Sequence, residues 1–230
     1  MALHEAQPHA HGPETLRLEG HDPEVARYGP RLVEAPDRPP RAVALGHLDV
    51  DPPERRGQIV DAVSIHDRPA EITARTKPGH WEGDLITGRR NSHVATLVER
   101  YSRYLLLAKV KGKDSSSVVK ALIRKINGLP RGLFLSLTWD RGTELAMHKL
   151  LTRRTGVPVY FCDPKSPWQR GTNENTNGLV RQYFPKGLDL SAFTQHELDL
   201  IAVRLNRRPR KILGFHSPRA RITGGVALTG

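Results

Sequence analysis

Three carboxylates could do chemistry together: Asp84 in H-W-E-G-D-L-I, Asp140 in L-T-W-D-R-G-T-E, and Glu174 in T-N-E-N-T-N-G. Asp84 falls inside an apolar run that reads as a strand, and Asp140 directly follows another. Glu174 stands early in a helix that restarts near Asn173 and that Pro185 ends. Side chains at strand ends of an open α/β sheet face the functional crevice, so these acids could converge although 56 and 34 residues separate them. Two carboxylates about 4 Å apart repel by roughly 4 kcal/mol at an effective dielectric near 20, which makes an acid cluster a poor device for stability. A divalent cation removes that repulsion, and hard oxygen donors suit Mg2+ or Mn2+ better than Zn2+. Two such ions activate a water or 3′-hydroxyl on one side of a phosphodiester and steady the leaving oxygen on the other, which is in-line phosphoryl transfer. Taken singly, each acid has a plainer reading. Asp84 would be a strand-end acid bonded to amides, Asp140 the turn acid of D-R-G, and Glu174 a first-turn helix acid.

The surroundings of Glu174 fit a polyanionic substrate. Arg181 follows it by seven residues, about two helical turns, and projects from the same face roughly 10 Å away. On the loop before it, Trp168 could stack on a base while Lys165 and Arg170 touch phosphates; a tryptophan packing its own loop is the alternative. Asn173 and Asn177 share a helix side and could orient phosphate or water, with helix capping an equal reading for Asn173. Arg207, Arg208, Arg210 and Lys211 follow a helix end, where cations are favoured in any case, and are candidate DNA contacts. Glu82 and Glu144 read as structural acids near the three, and His80 and Trp81 as packing residues.

These positions need a frame. His80–Thr87, 92–100 and 104–111 read as strands joined by short polar turns, an antiparallel meander. Residues 115–127 carry Val118, Val119, Leu122, Ile123 and Ile126 on one helical face, with Gly128 after the end. Strands over 133–138 and 157–162 bracket a helix over 144–155. Thr194-Gln195-His196-Glu197 is a capping box opening a helix with Leu198, Ile201, Ala202 and Leu205 on its apolar face. Strands followed by alternating helices and strands imply a mixed α/β sheet covered on both faces.

The chain of 230 residues carries a net charge of +12, unevenly spread. Residues 1–55 hold six arginines, no lysine and ten acids, whereas 56–230 hold thirty Lys and Arg against fourteen acids, so the basic part suits a nucleic-acid partner. The first 55 residues also hold nine of the eighteen prolines and no lasting hydrophobic period, which predicts a disordered or weakly structured segment in which His4, His9 and His11 are flexible polar residues. Residues 56–79 read as a linker with a few apolar anchors. The single cysteine, Cys162, excludes an internal disulfide and a multi-cysteine zinc site. No apolar run approaches the ~20 residues of a membrane span, and the first twenty residues lack a signal-peptide core, so a cytoplasmic location is expected.

Five blocks together carry a resemblance: P-G-H-W-E-G-D-L-I, T-L-V-E-R, T-W-D-R-G-T-E, the run from Phe161 to Gly187 (F-C-D-P-K-S-P-W-Q-R-G-T-N-E-N-T-N-G-L-V-R-Q-Y-F-P-K-G), and L-N-R-R-P-R-K-I-L-G-F. From about Arg55 to Pro218 the sequence resembles the catalytic half of the insertion-sequence-thirty family of bacterial transposases, which have an RNase H-like, retroviral-integrase-type core and a D-D-E triad. The resemblance implies Asp84, Asp140 and Glu174 as catalytic and metal-binding residues, two Mg2+ or Mn2+ ions, and Arg181 as the basic residue one heptad after the last acid. It also implies a five-stranded mixed sheet over 80–218, metal-dependent cleavage and strand transfer at transposon ends into target DNA, and a homo-oligomer on that DNA. Family members carry an N-terminal helix-turn-helix region that nothing in residues 1–55 resembles, so a truncated or frame-shifted gene copy is expected. A catalytically silent remnant that binds DNA or transposase is the competing reading, with a simple nuclease of the same fold as a third. The tail 219–230 drifts from the family ending, leaving its last helix in doubt.

Overall fold

The computed structural model describes residues 59–227; the segment 1–55, with His4, His9 and His11, lies outside the described residues. Six strands form one sheet: β1 (Val63–Ser64), β2 (His80–Thr87), β3 (His93–Glu99), β4 (Leu105–Val110), β5 (Ser136–Trp139) and β6 (Val159–Phe161), in the order β1-β6-β5-β2-β3-β4. The meander β2-β3-β4 is antiparallel, β5 and β6 run parallel to β2, and β1 is parallel to β6. The helices are α1 (Ala70–Ala74), α2 (Ser115–Asn127), α3 (His148–Thr155), α4 (Gly171–Val180), α5 (Gln195–Arg207) and α6 (Pro218–Ala227).

Alternation along the strands divides the molecule into two layers. Trp81, Ala95, Leu97, Leu137, Trp139 and Phe161 join Val118, Leu122 and Ile126 of α2 and Leu151 of α3 in one core. Ile86, Val94, Val98, Leu105 and Leu107 join Val180, Phe184 and the apolar stripe of α5 (Leu198, Ile201, Ala202, Leu205) in the other. Each fully buried aliphatic side chain contributes about 1.5–3 kcal/mol, which holds α2 and α5 in place. Caps help: Asp114 accepts from the Ser117 amide at 2.9 Å ahead of α2, and the Thr194–Glu197 capping box ahead of α5 is fully formed.

Several expectations need correction. The five-stranded sheet gains a sixth strand from within the segment read as a linker, where Val63 pairs with Tyr160 and Ser64 with Phe161. Ile59 and Ala62 pack on the core and Ile72 is buried, so that segment is built into the domain. A two-residue strand is too short to leave a period of its own in the sequence. The helix expected over 144–155 is a 3-10 turn at Thr143–Leu145 followed by α3. The doubtful tail forms α6, whose Ile222 is buried.

Candidate active site

Parity puts the polar residues of the central strands on the face that α4 covers. Glu82 and Asp84 point to the same side as Ile86; Thr96 is the partner of Asp84 across the β2–β3 ladder, and Thr138 is the partner of Glu82 across β2–β5. Asp140 follows β5 with the parity of Thr138. The helix facing this stripe is polar on its inner side too. Thr172, Asn173 and Thr176 are buried, and Val180 is the fully buried large apolar residue of α4. Helix and sheet therefore meet through hydrogen bonds.

Asp84 and Asp140 converge on one group, the guanidinium of Arg170. Its Nη1 lies 3.3 Å from Asp84 Oδ1 and donates to the Gly83 carbonyl at 2.9 Å, while its Nη2 donates to Asp140 Oδ2 at 3.2 Å. The remaining oxygens are also held. Asp84 Oδ1 accepts from the Leu85 amide at 2.9 Å, Asp84 Oδ2 from Asn177 Nδ2 at 3.0 Å, and Asp140 Oδ1 from the Gly142 amide at 3.2 Å. Two glycines beside the aspartates leave room for their neighbours. A Cβ at Gly83 would stand 2.2 Å from the Trp139 ring, and one at Gly142 would stand 2.2 Å from the Glu144 carboxylate.

The electrostatics follow from burial. Desolvation pushes the Asp84 carboxyl above the ordinary aspartate range; the charge on Asp140 adds to that, while Arg170 pulls the other way. Burial works against the Arg170 charge, but the two aspartates outweigh it and hold its proton more tightly than usual. Beneath the site, fully buried Glu82 is paired with Arg100 at 2.9 Å and accepts the Asn173 amide at 3.0 Å. Arg68 donates to Thr138 Oγ1 at 3.2 Å, and burial brings its pKa down to about 10. Glu144 is buried against Trp139 Nε1, and burial raises its carboxyl above the ordinary range. Both acids read as structural are therefore enclosed. Trp81 stacks on Phe134 at 4.8 Å and His80 bonds Ser136 at 2.8 Å, consistent with packing roles.

Glu174 stands four residues after Arg170 and three before Asn177, the spacings at which helix residues are neighbours. Its side chain is exposed and has no ion-pair partner among the described residues. Among those residues no group of three acids, histidines or cysteines gathers closely enough to hold a metal ion.

The proposed DNA contacts sort into two sets. Lys165 is exposed in a left-handed backbone conformation (φ 57°), Trp168 is 71% exposed, and Arg207, Arg208 and Lys211 are exposed, with Arg208 reaching Gln182 at 3.4 Å. The others are turned inward. Asn173 has no exposed surface; its Nδ2 donates to the Glu82 carbonyl and its Oδ1 accepts from Thr96, so its free energy goes into joining helix to sheet. Asn177 and Arg170 are committed to the aspartates. Arg181 lies beyond the end of α4 and donates to the carbonyls of Thr87 and Phe184 at 3.2 and 3.4 Å, and half-buried Arg210 donates to the Leu205 carbonyl at 3.4 Å. A basic residue in a polar loop reads as a surface residue unless its distant acid partners are known, which is why the role of Arg170 was not visible in the sequence.

Residues 74–167 match the integrase core domain family, a span that includes Asp84, Asp140 and the whole β2–β6 sheet and stops just before α4. The transposase InsI for insertion sequence element IS30A of Escherichia coli is 60% identical over 171 residues, covering 74% of this chain and 45% of that protein. The transposase for IS1086 of Cupriavidus metallidurans is 57% identical over 166 residues, covering 72% and 49% respectively. This chain carries the integrase core domain of the IS30 transposase family. It spans about half the length of the curated relatives it matches. For the fold of this integrase core, one chain of the cryoEM structure of the simian T-cell lymphotropic virus intasome in complex with PP2A regulatory subunit B56 gamma superposes with a TM-score of 0.51 at 19% identity. That match covers 64% of this chain and 55% of the other, and agrees with an RNase H-like architecture. No helix among the described residues of the core is long and apolar enough to cross a membrane.

Proposed function

We propose that this integrase core carries out metal-dependent DNA strand cleavage and strand transfer in transposition, with Asp84, Asp140 and Glu174 as its catalytic carboxylates. The observation that supports this most is that oxygens of Asp84 and Asp140, from separate strands, turn toward a single cation, the Arg170 guanidinium. A pair of carboxylates already arranged around positive charge fits Mg2+ or Mn2+. The donors are all oxygen, because burial pushes the nearby Cys162 thiol up to about 11 and keeps it protonated. Asn177 Oδ1, buried and without a partner among the described residues, adds an unused oxygen beside Asp84.

Two such ions, when bound, would polarise the phosphodiester and lower the pKa of the attacking water or 3′-hydroxyl. The chain supplies the geometry. Leu85 and Asn177 fix the Asp84 carboxylate, the Gly142 amide fixes that of Asp140, and Asn173 anchors the helical turn that presents Glu174. Lys165 and Trp168 on the exposed loop would receive phosphate and base, with Arg207, Arg208 and Lys211 extending the basic surface. The substrates would be transposon ends and target DNA in the bacterial cytoplasm, engaged by a homo-oligomer. Nicking and joining of end-sequence oligonucleotides with Mg2+, beside Asp140→Asn, tests this. Metal-dependent activity is expected in the parent and none in the variant; equal activity in both would remove the triad assignment.

A second reading is a silent remnant that binds DNA or transposase. One observation favours it: the three acids do not form a ready metal cluster among the described residues. A parent protein inert with either metal, yet retaining DNA binding, would establish that reading.

A further inference from the structure

The group that joins Asp84 to Asp140 occupies the place where a metal would act. A guanidinium and a divalent ion would compete for this site, since each cancels the same repulsion between the Asp84 and Asp140 carboxylates. We propose that Arg170 is a displaceable latch, filling the cation site of the metal-free protein and leaving it when a divalent ion enters, so that one side chain couples metal binding to DNA binding. This rests on the reading of Asp84 and Asp140 as metal ligands.

Three observations make Arg170 a plug that can leave. It is the last residue of the 3-10 turn Pro167–Arg170 and the residue before α4, so its release breaks one bond to a strand carbonyl, that of Gly83, and disturbs no helix interior. Its Nε is buried with no partner among the described residues, so the latched state leaves one of its five donors unused. The loop it would move onto already carries exposed Lys165 and Trp168, where a DNA phosphate could replace the carboxylates it gives up.

Without DNA, a released guanidinium exchanges two carboxylates and the Gly83 carbonyl for water. With DNA it exchanges them for phosphate. DNA should therefore tighten metal binding, and by thermodynamic reciprocity metal should tighten DNA binding. The latch also explains how Asp84 and Asp140 can stand ready without mutual repulsion, while Glu174, one turn further on, has no ion-pair partner among the described residues.

The test is Mn2+ binding to the full 230-residue chain, followed by electron paramagnetic resonance of the free ion, with and without a duplex oligonucleotide. Arg170→Gln should bind Mn2+ about ten-fold more tightly than the parent without DNA, a size typical of coupled sites. Duplex should raise the parent's affinity for Mn2+ and leave that of Arg170→Gln unchanged. Arg170→Lys keeps a charge but loses the two-pronged grip, so its affinity should fall between the two, which keeps the test informative if the glutamine variant folds poorly. Equal Mn2+ affinity in parent and both variants would overturn the latch and leave the metal reading standing. Mn2+ binding absent from all of them, or unchanged by Asp140→Asn, would remove the metal reading and the latch with it.

Discussion

Asn173 and Glu82 are bonded twice: the Asn173 amide donates to Glu82 Oε2 at 3.0 Å, and Asn173 Nδ2 donates to the Glu82 carbonyl at 2.9 Å. The same side chain reaches the Thr96 carbonyl at 3.3 Å and accepts from Thr96 Oγ1 at 3.1 Å. One residue without exposed surface thus pins α4 to both β2 and β3, directly before Glu174. Asn173→Ala should cost about 1–3 kcal/mol in urea unfolding, the range for buried polar groups deprived of a partner. An unchanged midpoint would mean that the backbone bond to Glu82 and the apolar contacts of Val180 seat the helix without this side chain.

Glu174 behaves in the opposite way. Exposed and without an ion-pair partner among the described residues, it contributes little to the metal-free fold. Glu174→Gln should leave Tm within about 2 °C of the parent, as surface substitutions usually do. Metal-dependent strand cleavage by the same variant should fall by at least about 100-fold, the scale of losing a group that stabilises charge in the transition state. Stability lost together with activity would assign Glu174 a structural role and end its place in the triad.

The contrast between these neighbours shows what could be read from the sequence. The meander, α2 and the capped α5 were legible because alternation, helical spacing and capping are local patterns, and each one is realised. The strand positions of Asp84 and Asp140 were legible for the same reason. The inward partners of Asn173 and Arg170 were not legible, because Glu82 and Asp84 lie 91 and 86 residues away and leave no mark on the local period. The β1 strand was hidden similarly: its two residues acquire a strand geometry only by pairing with β6.

Trp168, at 71% exposure, has little to lose from the fold and much to offer a base. Trp168→Ala should leave unfolding unchanged and weaken single-stranded DNA binding by about 1–3 kcal/mol, the usual worth of stacking on an aromatic ring. Lys165→Ala should instead reduce the slope of log K against log salt by about one, since one fewer phosphate releases its counterion. Fluorescence titration across a salt series reads both. An unaltered affinity for Trp168→Ala would place the DNA path elsewhere.

Glu99 ends β3 with no exposed surface, its Oε1 accepting from the Gly79 amide at 3.2 Å and its Oε2 from the Ser102 amide and hydroxyl at 2.6 Å each. Burial pushes its carboxyl above the ordinary glutamate range, and those hydrogen bonds pull it back only in part. Because the folded value lies above the unfolded one, the folded state holds the proton more tightly. The group's contribution to stability is therefore complete below the unfolded value and is lost as pH rises through the folded value. Glu99→Gln cannot titrate, so subtracting its unfolding free energy from that of the parent cancels the other ionisations. That difference should fall as pH rises above the ordinary glutamate value of about 4.3, measured by urea unfolding at each pH. A difference that rose with pH would show that the three donors around Glu99 outweigh its burial and hold it as a carboxylate.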